Sequence, residues 1–236
     1  MTVLIAIEGI DGSGKGTQAS LLTKRLQDLG YQTASIQFPR YSATTFGEAI
    51  GDFLNGRFGT LETVHPQLAA VLYAGDRFES LDVLNAARSD NDVVVLDRFT
   101  ASNFAHQAAK LQGAERERLI AWIDDVEHRV FGLPRPDLNV LLDISSTWSR
   151  ELVSRKDERD YTSDEADIQE SDRPYLDRVR QCYREIAESR DDWAVVNCLE
   201  SDGELRDVAA INEDIMACIR PLLTGLPTQN PTTPLR

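Results

Sequence analysis

Apolar residues in this chain alternate between short unbroken runs and longer stretches spaced three and four apart. Strands are predicted at 3–7, 33–38, 92–96, 138–144 and 193–197. A continuous run such as Val3 to Ile7 predicts a central strand covered on both faces. The helical pattern begins at 20–29, where Leu21, Leu22, Leu26 and Leu29 share a face and Gly30 ends the element. Further helices are predicted at 46–54, at 65–87 with Pro66 in the first turn, and at 102–111, 114–130, 148–156, 174–189 and 204–220. Strands separated by helices need crossover connections. The prediction is therefore an α/β fold, a five-stranded, mainly parallel sheet with helices on both faces.

The stretch 157–172 is densely charged and almost free of aliphatic residues, so it cannot supply core. It reads as a mobile lid, about 150–172, within a single domain spanning 1–220. Residues 221–236, rich in Pro and Thr, read as a disordered tail.

Composition narrows the class. The chain has 236 residues, 42% of them hydrophobic, enough for one core. A formal net charge of −14 disfavours non-specific contact with nucleic acid or anionic membranes. Cys182, Cys198 and Cys218 are odd in number and widely spaced, which fits reduced thiols rather than a disulfide framework or a zinc site. His65, His106 and His128 lack metal-ligand spacing. No signal peptide or membrane span is visible. The expectation is a cytoplasmic protein with neither nucleic-acid nor membrane partners.

The chemistry concentrates directly after the first run, in Gly9-Ile10-Asp11-Gly12-Ser13-Gly14-Lys15-Gly16-Thr17. Strand, glycine-rich turn and helix together make a G-x-x-x-x-G-K match a phosphate-binding loop of the P-loop NTPase type. Backbone N–H groups wrap an anion, the helix N-terminus adds partial positive charge, and Lys15 adds a full one. The position after the lysine usually carries Ser or Thr. Here it is Gly16, so the hydroxyl is displaced to Thr17. Asp97 closes the apolar run 93–96. Thr17 and Asp97 are the candidate ligands for Mg²⁺, directly or through water. Alone, such an aspartate is more often a turn or cap; beside a phosphate loop the metal reading gains weight. Arg98 can fork onto phosphate oxygens. Ligands of such sheets bind at the carboxyl ends of strands, and the loop, Phe38-Pro39-Arg40 and Asp97-Arg98 all fall on that rim.

Glu8-Gly9-Ile10-Asp11-Gly12, Phe38-Pro39-Arg40 and Asp97-Arg98-Phe99 with Ser102-Asn103, in this order and spacing, resemble the thymidylate kinase family. The likeness runs from about Met1 to the strand at Trp193 and is weakest in the lid. The sequence also resembles the wider nucleoside-monophosphate kinases, though where adenylate kinases carry Pro-Gly it has Asp11-Gly12. The resemblance implies transfer of the γ-phosphoryl group of ATP to dTMP, Mg²⁺ as cofactor and a homodimer. It implies that Gly9 to Thr17 hold ATP and that Lys15, Asp11 and Arg98 are catalytic. For dTMP it implies Asp11 on the 3′-hydroxyl, Phe38 along the base, Arg40 and Arg98 on the phosphate, and Asn103 on the base edge. Tyr73 and Arg77, four apart on one helical face, match a family pair that stacks on thymine and reaches a base carbonyl. His106 stands where relatives often carry Tyr, and Glu170 matches a carboxylate near the acceptor nucleotide. Some members of the family carry an arginine directly after the loop aspartate; with Gly12 at that position, the resemblance implies catalytic cations from the lid, first Arg155 and Arg159, with Arg150 and Lys156 as further candidates.

Other readings stay open: a kinase for another nucleotide or nucleoside such as dCMP or thymidine, or a nucleotide-binding module with weak catalysis. A GTPase-type switch would show an Asn/Thr-Lys-x-Asp motif, and none occurs.

Overall fold

Strands β1 (Val3–Glu8), β2 (Thr33–Gln37), β3 (Val93–Asp97), β4 (Leu138–Asp143) and β5 (Trp193–Asn197) form one sheet in the order β2-β3-β1-β4-β5. Every neighbouring pair is parallel. The computed structural model describes residues 2–154 and 173–227. Most of the expected lid, with Arg155, Lys156, Arg159 and Glu170, and residues 228–236 of the expected tail lie outside the described residues. The three central strands β1, β3 and β4 are buried along their whole length. The edge strands β2 and β5 are partly exposed; β2 alternates polar and apolar residues, whereas β5 is apolar and is exposed by its edge position.

Successive residues of β1 serve opposite faces. Ile5 and Ile7 join a large core with Leu22, Leu26, Phe104, Val140 and Ile215. Leu4 and Ala6 join a smaller one with Phe38, Leu84, Val94, Leu96, Phe99 and Leu133. The register aligns Ile7 with Asp97 and Gln37 with Asp97, so β1, β2 and β3 run level to one rim.

Helices α1 (Lys15–Asp28), α2 (Thr45–Leu54), α3 (Pro66–Glu79), α4 (Leu81–Asp90), α5 (Thr100–Ala108), α6 (Gly113–Asp124), α7 (Ser146–Ser154), α8 (Arg173–Glu188) and α9 (Val208–Leu223) cover the sheet. Three of them depart from the sequence expectation. The helix predicted at 65–87 is broken at Ser80, which is buried and whose hydroxyl donates to the Asp76 carbonyl at 2.8 Å. That local bond competes with the helical ladder. The helix predicted at 114–130 widens into a π-helical stretch, Asp125–Val130, which contains the fully buried Glu127. The predicted tail boundary at 220 is too early. Pro221 lies inside α9, and Leu223 and the half-buried Leu226 pack on the main core, outweighing the proline's missing donor.

Candidate active site

The glycine-rich loop leaves β1 at Glu8 and enters α1 at Lys15, with Gly14 as a left-handed N-cap at φ 85°. Gly12 has φ 74°, and a Cβ there would stand 2.2 Å from the Ser149 carbonyl oxygen. Helix α7 therefore packs directly on the loop, and the Ser149 hydroxyl donates to the Asp11 carbonyl. Gly12→Ala is expected to lower stability by about 1–3 kcal/mol through backbone strain and this clash. Urea denaturation measures it; an unchanged midpoint would show that the contact with α7 is dispensable.

Lys15 is buried, and its ammonium donates to the Ile10 carbonyl at 2.7 Å and lies 3.4 Å from Ser13 Oγ. Burial pushes its pKa from 10.5 to about 7; Arg98 acts in the same direction, and Asp11, Asp97 and Glu8 oppose it only in part. The consequence for stability has a definite sign. Above about pH 7 the folded lysine loses its proton while the unfolded one keeps it to about 10.4, so stability from this group rises with pH across that window. A bound triphosphate reverses the balance by stabilising the ammonium. Triphosphate binding at pH 8.5 is therefore expected to take up close to one proton, and at pH 6 almost none. Calorimetry in buffers of different ionisation enthalpy reads this directly; equal uptake at both pH values would contradict it.

Arg98 directly follows β3 with φ 66°, a conformation L-residues rarely adopt. Its N–H donates to the Ile7 carbonyl at 3.0 Å, which turns the side chain back over the loop. The guanidinium reaches the Gly9 carbonyl (3.0 Å), Ser102 Oγ (3.1 Å) and the Asp11 carboxylate. Burial works against its charge, but Asp11, Tyr183, Glu8 and Asp97 outweigh burial and hold its pKa well above the ordinary value. Beneath it the buried Glu8 accepts from Phe99 N–H at 2.8 Å, Ser102 Oγ at 2.6 Å and Tyr183 Oη at 3.0 Å. Glu8 thus ties the ends of β1 and β3 to α8.

Asp97 is 8% exposed and sits against the first turn of α1: a Cβ at Gly16 would be 3.1 Å from its Oδ2. Thr17 is exposed one position further. Among the described residues no cluster of three or more His, Cys, Asp or Glu side chains could hold a metal alone. A Mg²⁺ ion that keeps several waters and shares phosphate oxygens needs only one or two protein oxygens, and Asp97 and Thr17 fit that requirement.

Two cavities meet here. A wide trough runs over Gly12, Gly14, Lys15, Gly16, Arg40 and Asp97. A smaller cavity is lined by Tyr73, Arg77, Asn103, His106, Gln107 and Leu54, among others. Asp11, Phe38, Pro39, Tyr41 and Arg98 line both. Arg40 belongs to the trough alone, where its Nη1 donates to Ser80 Oγ at 3.2 Å and its backbone N–H to Asp76 Oδ2 at 3.1 Å. Phe38 packs on Phe99 with ring centroids 5.6 Å apart.

His106 is buried. Its Nδ1 is 3.3 Å from Tyr175 Oη, which donates to the His106 carbonyl at 2.9 Å. With the phenol proton so committed, Nδ1–H is the donor and Nε2 an acceptor; Nε2 has no partner among the described residues. Burial, then Arg98, pushes the imidazole pKa down to about 3, so it stays neutral. Arg77 is 2% exposed and held by both oxygens of Glu127.

Sequence reasoning missed Glu127, Asp76, Tyr183 and Gln107. Gln107 is fully buried with neither amide atom partnered among the described residues. Nothing in the local pattern marked these groups, because each acquires its role from a distant element. Arg150 is exposed on α7. The cysteines are free; burial pushes the Cys182 thiol up to about 11 and Cys198 to about 12, so neither is a ready nucleophile. No helix among the described residues is long and apolar enough to cross a membrane.

The family model described as Thymidylate kinase matches residues 7–208. The chain is 34% identical to the thymidylate kinase of Mycobacterium tuberculosis over 185 residues, 78% of this chain and 86% of that protein. It is 32% identical to the probable thymidylate kinase of Thermococcus gammatolerans over 219 residues, 90% of this chain and 97% of that one. Among solved structures it resembles the thymidylate kinase of Candida albicans, with a TM-score of 0.69 and 25% identity over 94% of this chain and 92% of the other.

Proposed function

The chain belongs to the thymidylate kinase family and transfers the γ-phosphoryl group of ATP to dTMP, making dTDP and ADP in the synthesis of dTTP; on that footing we propose a role for each residue around the two cavities. The trough takes ATP, with Gly9 to Thr17 around its phosphates. The smaller cavity takes dTMP, with Tyr73 and Phe38 against the base, Arg77 and Asn103 on its edge, and His106 beside the nucleoside. Asp11 receives the 3′-hydroxyl, and Arg98, with Arg40 on the trough side, holds the acceptor phosphate. The observation that carries this reading is the sharing of Asp11 and Arg98 by both cavities, which lets two nucleotides meet phosphate to phosphate.

The nucleophile is an oxygen of the dTMP phosphate. Its second ionisation lies near pH 6, so it is largely dianionic at neutral pH and needs no general base. Its bond to the γ-phosphorus forms as the bond from γ-phosphorus to the bridging oxygen breaks, and ADP leaves. The obstacle is repulsion: two like unit charges 4 Å apart cost about 4 kcal/mol at an effective dielectric near 20. Lys15 and Arg98 offset this and stabilise charge on the transferred group. Asp97 and Thr17 would hold Mg²⁺, which supplies further neutralisation of the phosphates when bound. Arg155 and Arg159 are proposed as lid cations and Glu170 as a carboxylate near dTMP, on the sequence resemblance alone. The same resemblance supports a homodimer; cysteine usage supports a cytoplasmic location. The proposal is tested by ADP release with ATP and dTMP, dUMP, dCMP or UMP. A clear preference for dTMP is expected; equal use of all four, or preference for dCMP, would overturn the pocket roles.

A further inference from the structure

Glu127 is a fully buried carboxylate to which phosphoryl transfer gives no task. It lies on the π-helical stretch Asp125–Val130 and joins α3 to α5. Its Oε2 accepts from Arg77 Nε at 2.7 Å, and its Oε1 from Arg77 Nη2 and from Asn103 Nδ2 at 2.8 Å. Asn103 Nδ2 also donates to the Ala70 carbonyl at 3.0 Å. A carbonyl, and a carboxylate clasped by an arginine, can only accept. Both therefore require the NH₂ end of the Asn103 amide. Oδ1 is left buried and without a partner, on a residue that lines the smaller cavity.

We propose that Glu127 is a positioning residue that sets base specificity: it locks the Asn103 amide with Oδ1 as a fixed acceptor, so the cavity takes a pyrimidine with N–H at ring position 3 and refuses one with a lone pair there. The inference rests on reading this cavity as the acceptor-nucleotide pocket. Thymine and uracil carry that N–H. Cytosine presents a bare nitrogen, and facing Oδ1 it would leave two buried acceptors unsatisfied. An asparagine side chain has a two-fold terminal torsion and could otherwise turn over to offer its NH₂. The Ala70 carbonyl alone opposes that turn through one bond; Glu127 adds a charge-assisted second. The same carboxylate aims Arg77, so one buried group governs both polar elements expected on the base edge.

Glu127→Gln keeps the shape but gives the partner one acceptor and one donor end. Arg77 and Asn103 then compete for the single acceptor, and an inverted Asn103 becomes accessible. The expected result is a fall of at least about tenfold in the ratio of kcat/KM for dTMP to that for dCMP, with KM for ATP little changed. A purely structural role would depress both acceptors in proportion, and an unchanged ratio would overturn the proposal. Wild-type enzyme that does not itself prefer dTMP to dCMP would remove the pocket reading beneath it, a separate failure visible before any variant is made. Should the variant not fold, wild-type protein with labelled asparagine serves. The Asn103 side-chain NH₂ protons should exchange slowly with and without dTMP, and its carbonyl carbon should shift with dTMP but not dCMP. NH₂ protons that exchange like those of an exposed amide would refute it.

Discussion

Lys15→Ala is expected to lower kcat for dTDP formation by roughly 10²- to 10³-fold, the loss typical of removing one preorganised group that meets charge in the transition state. The fold should persist. In the free protein the ammonium is buried, is held by the Ile10 carbonyl and Ser13, and makes no ion pair among the described residues; burial pushes its pKa to about 7. Removing it takes away a charge that burial disfavours, so thermal stability near pH 6 should stay level or rise. This combination separates a catalytic group from a structural one. Steady-state kinetics and thermal melts on the same preparation check it; near-wild-type turnover would refute the role assigned to the loop.

Arg77→Ala carries the other large effect, and it falls first on stability. The sequence placed Arg77 only on a helical face shared with Tyr73. Folding instead seals Arg77 against Glu127, both within 2% of full burial. Removing one partner of such a pair leaves an uncompensated buried charge, at a cost of about 3–5 kcal/mol. Chemical denaturation should register that loss, together with a rise in KM for dTMP much larger than any change in KM for ATP. Replacing the pair jointly, as Arg77→Met with Glu127→Leu, should recover most of the stability and none of the dTMP affinity. If the double variant regained dTMP use, the pair would be scaffolding rather than part of base recognition.

Much of the fold was legible along the chain. The strands at 3–7 and 92–96 became buried central strands, because a strand covered on both faces favours an apolar run. Which of the remaining strands lie at the edge was not readable, since the apolar 193–196 ended at the edge and 138–144, with Asn139, in the middle. The phosphate loop was equally readable, since a glycine turn between strand and helix is a local device. The helix boundaries were less so. Ser80 breaks one helix through a bond that its burial beside Arg40 reinforces, and another runs past Pro221 with Leu223 buried in the core.

The site divides along the same line. Residue types on the rim could be named from the sequence, Lys15, Asp97, Arg98 and Asn103 among them. Their states could not. Glu8 meets Tyr183 across 175 positions, and Arg77 meets Glu127 across 50. Spacing reports which residues share a face of one element, because helix and strand periods are set by the backbone. Whether a lysine sheds its proton, a histidine stays neutral or an amide offers oxygen rather than nitrogen depends on neighbours brought from elsewhere in the chain. Only the packed structure decides which charges lose water and which acceptors are already taken.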